Sequence, residues 1–483
     1  MKRTILVFTF LGCMSLCLFA QNKEGLRTEV KDYKGRPTFY INGTPTLPQF
    51  YALTDRPTGN RTYETIPSHN ISQFAQMGFK LYQVDLWFEE MLFEDGTLDI
   101  TEAQKQIQGV LKHCPDAAIM FRLHCNPPFW WLKQHPEECT KFADIELMEE
   151  PYRPSNQNYL WQDLNNVPRC SYASKLWLSF MGKQVKEFCQ RLSATPEGNS
   201  LMGIQLVNGV NGENHYWAFV KHDPDVSEVM NIYFREWLSK KYKEDKALQK
   251  AWNDPDVHLS DATVPGMERH DSKNGIFRDP NTEQKTIDYY QCQHKVVTES
   301  IDYFAKIVKE NWPRPIAVGC FYGYYMSMFG RQAAGGHLLE QDVMNSPYID
   351  FLSAPQAYNS NSRKPGGPGL SRGLIESVRL HGKVWLDEMD QPSHLGHIYL
   401  GGLQNYDIPG TIQITRKFVL NPFLRGSGMW YYDFGPIMTT GWWDDPKYME
   451  EISKIRKLEE KYFDHQLDAP ADVLIVFATK VFF

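Results

Sequence analysis

Two short stretches place acids where they could do chemistry. "GIQLVNGVNGENHYW" (203–217) opens as an apolar run and breaks into a polar loop holding one carboxylate, Glu213, with aromatics directly after it. "KVWLDEMD" (383–390) ends in three acids, Asp387, Glu388 and Asp390. Two carboxyls from separate strands are what cleavage of a glycosidic bond requires: one donates a proton to the leaving oxygen, and the other attacks or steadies the anomeric carbon. Glu213 is the candidate donor and Glu388 its partner. A mechanism that retains the anomeric configuration calls for carboxyls about 5 to 5.5 Å apart. Side chains alternate along a strand, so Glu388 and Asp390 share one face and Asp387 takes the other. The chain has 58 acidic residues, so some fall at strand ends by chance; a solvated or ion-paired acid is the competing reading for either glutamate.

Other polar and aromatic side chains end apolar runs in the same way. Arg122, His124 and Asn126 close "AAIMFRLHCN" (117–126), Asn208, Asn211 and Asn214 surround the Glu213 loop, Tyr358 closes "IDFLSAPQAY" (349–358), and Trp430 lies in "GMWYYDF" (428–434). Aromatic faces cover the C–H faces of pyranose rings, which makes Trp217 and Trp430 candidate sugar contacts, with core packing as the alternative. No second histidine at ligand spacing accompanies His124, so a metal site is not indicated. His124 reads instead as a group that binds a hydroxyl or orients a carboxylate, or as a satisfied core histidine. No G-x-S-x-G elbow and no G-x-x-x-x-G-K-S/T loop occurs, and "GPGLSRG" (367–373) breaks the dinucleotide spacing, so no cofactor is called for.

These residues need a frame that delivers strand ends to one place. Apolar runs at 80–87, 117–126, 201–208, 315–325, 349–358, 383–390 and 428–434, with another near residue 50, read as strands. Between them, stretches such as 66–79, 174–192 and 286–311 repeat apolar residues three and four apart and read as helices. Eight strands, nearly continuous in hydrophobicity and alternating with helices, predict an α/β fold, a (β/α)8 barrel, rather than an open doubly wound sheet. In such a barrel the working side chains lie at the carboxyl ends of the strands. A β-hairpin at 39–53, turning on Asn42-Gly43, is expected before the barrel. The predicted division is a leader at 1–20, a barrel domain over 21–465, and a strand within 466–483 that caps the barrel or begins a further domain.

Composition limits the partners. A net charge of −7 with no block of like charge gives nothing to attract nucleic acid or an anionic membrane, and a neutral oligosaccharide or polysaccharide fits better. "MKRTILVFTFLGCMSLCLFA" reads as a secretory signal cleaved before Gln21, which implies a secreted, periplasmic protein. Cys13 lies in a poor lipobox, so a lipid anchor is not favoured, and no later run is long enough to span a membrane. The remaining cysteines, 114, 125, 139, 170, 189, 292 and 320, are odd in number, scattered and free of C-x-x-C pairs. That argues against a disulfide framework or a zinc cluster and for buried thiols.

The segments "RLHCNPPFWWLKQHPEE" (122–138), "YFREWLSKKYKEDKALQKAWNDP" (233–255) and "GSGMWYYDF" (426–434), with the acids at 387–390, resemble the catalytic barrel of the family 42 β-galactosidase-like glycoside hydrolases of clan A. The likeness covers most of residues 35–465, and its most specific element is the 233–255 segment. It implies a retaining β-glycosidase with an acid/base glutamate just after strand four, here Glu213, and a nucleophile at the end of strand seven, here Glu388. It also implies Tyr358 near the nucleophile and Trp430 flooring the sugar subsite. The family's Asn-Glu pair is missing: Asn208 is followed by Gly209, and Glu213 arrives four residues later. Either a longer loop returns Glu213 to the same point, with Asn211 and Asn214 bonding the 2-hydroxyl, or the donor has been lost and the chain is a non-catalytic carbohydrate-binding protein. A β-mannosidase or endo-glucanase on the same scaffold is a third option. Members of the family often carry further domains that mediate assembly, and a homo-oligomer stays open.

Overall fold

The computed structural model describes residues 24–53, 61–144, 169–209, 212–216, 219, 222–269, 277–325, 331–358, 360–396, 406–433, 442–468, 472–479 and 483. The stretch read as a secretory signal lies outside them. Eight strands form a closed barrel in chain order: β4 (Gln49–Leu53), β5 (Leu81–Trp87), β6 (Ala118–His124), β7 (Leu201–Val207), β8 (Ala317–Phe321), β9 (Phe351–Pro355), β10 (Val384–Met389) and β11 (Gly428–Asp433). All neighbours are parallel, and β11 returns to pair with β4. Every residue of these strands is buried, because opposite strands cover the inner face and helices the outer one. The near-continuous apolar runs in the sequence follow from that double burial.

The helices start where the sequence supplies a cap. The Ser174 hydroxyl accepts from the Trp177 N–H at 2.9 Å at the head of Lys175–Ser193, and Asp407 accepts from Gly410 at 2.9 Å at the head of Ile408–Leu424. Lys175–Ser193 and Gln284–Asn311 pack against each other outside the barrel.

Inside, the barrel is filled in layers. At its amino-terminal end, Phe39 meets Phe50 edge-on at 6.1 Å and Phe351 at 5.8 Å. A polar layer follows, in which Gln83 donates to Gln205 at 2.6 Å and Gln205 to the Ser353 hydroxyl at 2.8 Å, so these buried amides hold one another. Above it, at the carboxyl end, Asp85, Arg122, Phe321, Glu388, Trp430 and Tyr432 converge.

Phe39 comes from a three-stranded antiparallel sheet under the barrel, β1 (Thr28–Tyr33), β2 (Arg36–Ile41) and β3 (Thr44–Thr46). Asn42 and Gly43 have φ of +49° and +82° and turn β2 into β3, as the Asn-Gly signal indicated. Two features differ from the expected hairpin. A second turn with positive φ at Lys34 and Gly35 adds β1, and Gln49–Leu53 belongs to the barrel rather than to the hairpin. The C-terminal strand expected within 466–483 is not formed by the described residues there. A closed barrel has no free edge to offer it. Val473 to Val476 stand exposed, while Phe477 rests against Tyr325 and Phe483 against His294.

Because Phe39 plugs the barrel floor with no exposed surface, Phe39→Ala is expected to cost about 3–5 kcal/mol. The measurement is a fall in the urea midpoint at unchanged m-value, and an unshifted midpoint would show that the plug does not support the barrel.

Candidate active site

The strand ends supply the charged groups, and Arg122 stands among them. It leaves β6 into the barrel mouth, where its Nε lies 3.0 Å from Asp85 Oδ1 and its Nη1 3.6 Å from Glu388 Oε2. Its guanidinium lies 4.9 Å from the Phe321 ring centroid and 5.2 Å from that of Tyr432, so aromatic faces replace the water it has lost. His124, two residues on and on the same face, donates from Nε2 to the same Asp85 oxygen at 3.0 Å and stacks on Trp87 at 3.3 Å. A carboxylate only accepts, so the imidazole carries its proton on Nε2. Burial holds its pKa below the ordinary histidine value, so the ring is neutral.

Glu388 projects inward from β10 and is 5% exposed. The indole N–H of Trp430 donates to its Oε2 at 3.2 Å. Burial raises its pKa well above the ordinary carboxylate value; Arg122 opposes that shift, and the charges of Asp390 and Glu213 add to it. Asp387 faces outward, accepting from Trp385 Nε1 at 2.8 Å and from the Ser371 hydroxyl at 2.5 Å, in keeping with strand alternation. Asp390 faces the mouth, held by Arg363 at 2.7 Å and by the Tyr358 hydroxyl.

Glu213 reaches the same place by a detour. After β7 the chain turns aside at Gly209, and the Gly212 N–H bonds the Gly209 carbonyl at 3.2 Å. The chain then returns, so that Asn208 and Glu213 form a parallel bridge and the Asn214 N–H donates to the Asn208 carbonyl at 2.7 Å. Glu213 thus stands beside Asn208 although four residues separate them in sequence. Gly209 admits no side chain. At Gly209, with φ +68°, a Cβ would sit 2.1 Å from the His215 carbonyl oxygen and 2.5 Å from the Tyr172 hydroxyl. No glutamate fits directly after Asn208. Asn126 steadies the excursion by accepting the Gly209 N–H at 3.4 Å.

The Glu213 carboxyl accepts the Tyr324 hydroxyl at 3.1 Å. It keeps some exposed surface but lies deep among protein atoms, and that desolvation pushes its pKa up to about 7. Arg372 and the Tyr324 bond work against the shift, and Asp390 adds to it. A carboxylic acid that keeps its proton near neutrality can serve as a proton donor.

The structure thus gathers Arg122, His124, Asn126, Asn208, Glu213, Tyr358, Glu388, Asp390 and Trp430 at the carboxyl end of the barrel. One of these residues, Trp430, and also Asn214 are placed differently from the sequence reading. Asn214 is fully buried and donates its amide to the Phe321 carbonyl at 3.1 Å, so it anchors the loop. Trp430 is fully buried with its ring edge-on to Phe321, so what it gives the site is an N–H on Glu388 rather than an open face. Neither side-chain atom of the Asn208 amide has a protein partner, although the residue is 1% exposed. Asn211 and Trp217 lie outside the described residues. Sequence reasoning did not single out Tyr324, Arg363 or Arg372. Tyr324 has a faint signal, since it lies just past the end of β8; the two arginines lie in the long connection between β9 and β10 and have none.

No protein-family model matches the sequence, and no curated protein matches it. Solved structures do. A β-galactosidase from the psychrophilic Marinomonas ef1 superposes with a TM-score of 0.58 at 12% identity, over 87% of this chain and 61% of that one. The cold-adapted β-galactosidase of Rahnella sp. R3 gives 0.58 at 11% identity over 86% of this chain and 56% of its own. The catalytic domain of β-amylase from Paenibacillus polymyxa gives 0.53 at 15% identity, over 81% and 92%. At these identities the likeness is one of fold, and this chain spans about three-fifths of the length of the β-galactosidases.

Because burial raises Glu213 and the Tyr324 bond favours its ionised form, a carboxyl difference infrared titration of the protein against Glu213→Gln should show one group with a midpoint near 7. Tyr324→Phe should move that midpoint upward. A midpoint in the ordinary carboxylate range, or a downward move, would contradict the assignment.

Proposed function

We propose that the chain is a retaining β-glycosidase acting on β-linked galactosides or related glycans, with Glu388 as nucleophile and Glu213 as acid/base. The carrying observation is the meeting of two carboxyls from separate strands at one barrel mouth. Glu388 lies beside the Arg122 guanidinium and beneath the Trp430 indole N–H, and Glu213, beside Asn208, is bonded by the Tyr324 hydroxyl. Two titratable groups with divided roles are what a double displacement uses.

In the first step Glu388 attacks the anomeric carbon, forming the glycosyl-enzyme bond, and Glu213 passes its proton to the departing oxygen. In the second step Glu213, now ionised, takes a proton from water, and the resulting oxygen nucleophile breaks the glycosyl–Glu388 bond. Asn208, with its amide unpartnered beside Glu213, supplies donor and acceptor for a sugar hydroxyl. Arg122 and Trp430 favour the ionised nucleophile. The β-galactosidase neighbours and the resemblance in the sequence support a β-galactoside as substrate, and the leader-like N-terminus supports action in the periplasm. A carbohydrate-binding protein without activity is the alternative, and the bridge that sets Glu213 beside Asn208 favours the enzyme.

On this reading kcat/KM falls above about pH 7 as Glu213 loses the proton it must donate. Glu213→Gln should abolish the alkaline limb, and should reduce turnover of alkyl β-glycosides by about 10²–10⁴-fold, the usual worth of a general acid. It should spare glycosylation by aryl glycosides with good leaving groups. Equal losses on both substrate types, or an alkaline limb that survives, would refute the assignment.

A further inference from the structure

Seven cysteines are described, all buried and all in the thiol state. The fold brings Cys139 and Cys170 face to face. The two form an antiparallel bridge flanked by the Thr140 N–H on the Arg169 carbonyl at 2.7 Å and the Ser171 N–H on the Glu138 carbonyl at 2.9 Å. Those bonds belong to the residues on either side, so 139 and 170 are a directly opposed, non-hydrogen-bonded pair. In that geometry the Cα atoms lie about 4.5 Å apart with side chains on one face. A disulfide spans Cα separations of roughly 4.4–6.8 Å. The two sulfurs also rest on one short turn, Cys139 Sγ at 3.7 Å from the His135 carbonyl and Cys170 Sγ at 3.6 Å from that of Glu138.

We propose that Cys139 and Cys170 form a structural disulfide that fastens the connection following β6 beside the acid/base loop. Each thiol loses a hydrogen and a sulfur–sulfur bond forms. The two protons and two electrons pass to a small disulfide oxidant such as oxidised glutathione, which is cleaved to two thiols. What the bond would hold is visible in the neighbours of Cys170. The Ser171 hydroxyl donates to Asp225 at 2.5 Å, and the Tyr172 ring lies 5.0 Å from Tyr216, with its hydroxyl beside Gly209 at the start of the Glu213 excursion. Burial pushes the Cys139 thiol up to about 12, so little thiolate exists to attack once the pair is enclosed. The bond therefore forms before the pair is enclosed. The proposal does not depend on the glycosidase reading.

The test is a peptide map of the full chain refolded in a glutathione buffer poised as oxidising, then denatured and alkylated without reductant. The expected result is one linked peptide pair containing Cys139 and Cys170, which separates on reduction, with Cys114, Cys125, Cys189, Cys292 and Cys320 alkylated. Alkyl label on both Cys139 and Cys170, or either one linked to another cysteine, overturns the proposal. As a second readout, reduction after unfolding should lower the Tm of the refolded wild type but leave a Cys139→Ser/Cys170→Ser chain unchanged; an equal response in both would remove the fastening role.

Discussion

The site depends on one buried cation. Arg122 stands where three acids, Asp85, Glu388 and Glu213, would otherwise face one another in a water-poor barrel mouth, and it pairs with the first two directly. Charges so placed are tolerated only when paired, and removing one member of such a set typically costs about 3–5 kcal/mol. The rings of Phe321 and Tyr432 and the hydrogen bond from His124 to Asp85 hold the arrangement in place. Fold and chemistry meet here: the inward faces of β5, β6, β8, β10 and β11 each give at least one element of the network.

Around that cation the two glutamates differ because their surroundings differ. Glu388 sits on a rigid strand beneath an indole donor, and Glu213 on a loop that leaves the barrel and returns. The detour has a steric origin at Gly209, where the His215 carbonyl and the Tyr172 hydroxyl leave no room for a side chain. Asn126 and Asn214 fasten the loop to neighbouring strands, and Tyr324 fixes the carboxyl itself. A motif split in sequence is joined in space.

Much of this was legible in the sequence, for local reasons. Burial on both faces makes the barrel strands continuous apolar runs, so the run at 201–208 corresponds to Leu201–Val207, and alternation correctly separates Asp387 from Glu388. Helical spacing over 174–192 corresponds to Lys175–Ser193. What could not be read depends on contacts between distant segments. Arg372 is brought near Glu213 only by the loop that precedes β10. Asn214 looked like a sugar ligand because it flanks an acid, yet the unsatisfied carbonyl of Phe321 claims its amide. Trp430 looked like an open platform because it ends a strand, but it lies inside the closed barrel. The odd, scattered cysteines concealed one opposed pair, Cys139 and Cys170, that only the backbone pairing brings together.

The central claim is that Glu388 forms the covalent bond to sugar. The most direct measurement is incubation with an activated 2-deoxy-2-fluoro-β-galactoside followed by mass spectrometry of the intact chain and of its peptides. One fluorosugar added per chain, carried by Glu388 within the 384–389 strand, is the expected result. Label on Asp390 or Glu213, or turnover of β-galactosides by a chain that never acquires the label, would contradict it.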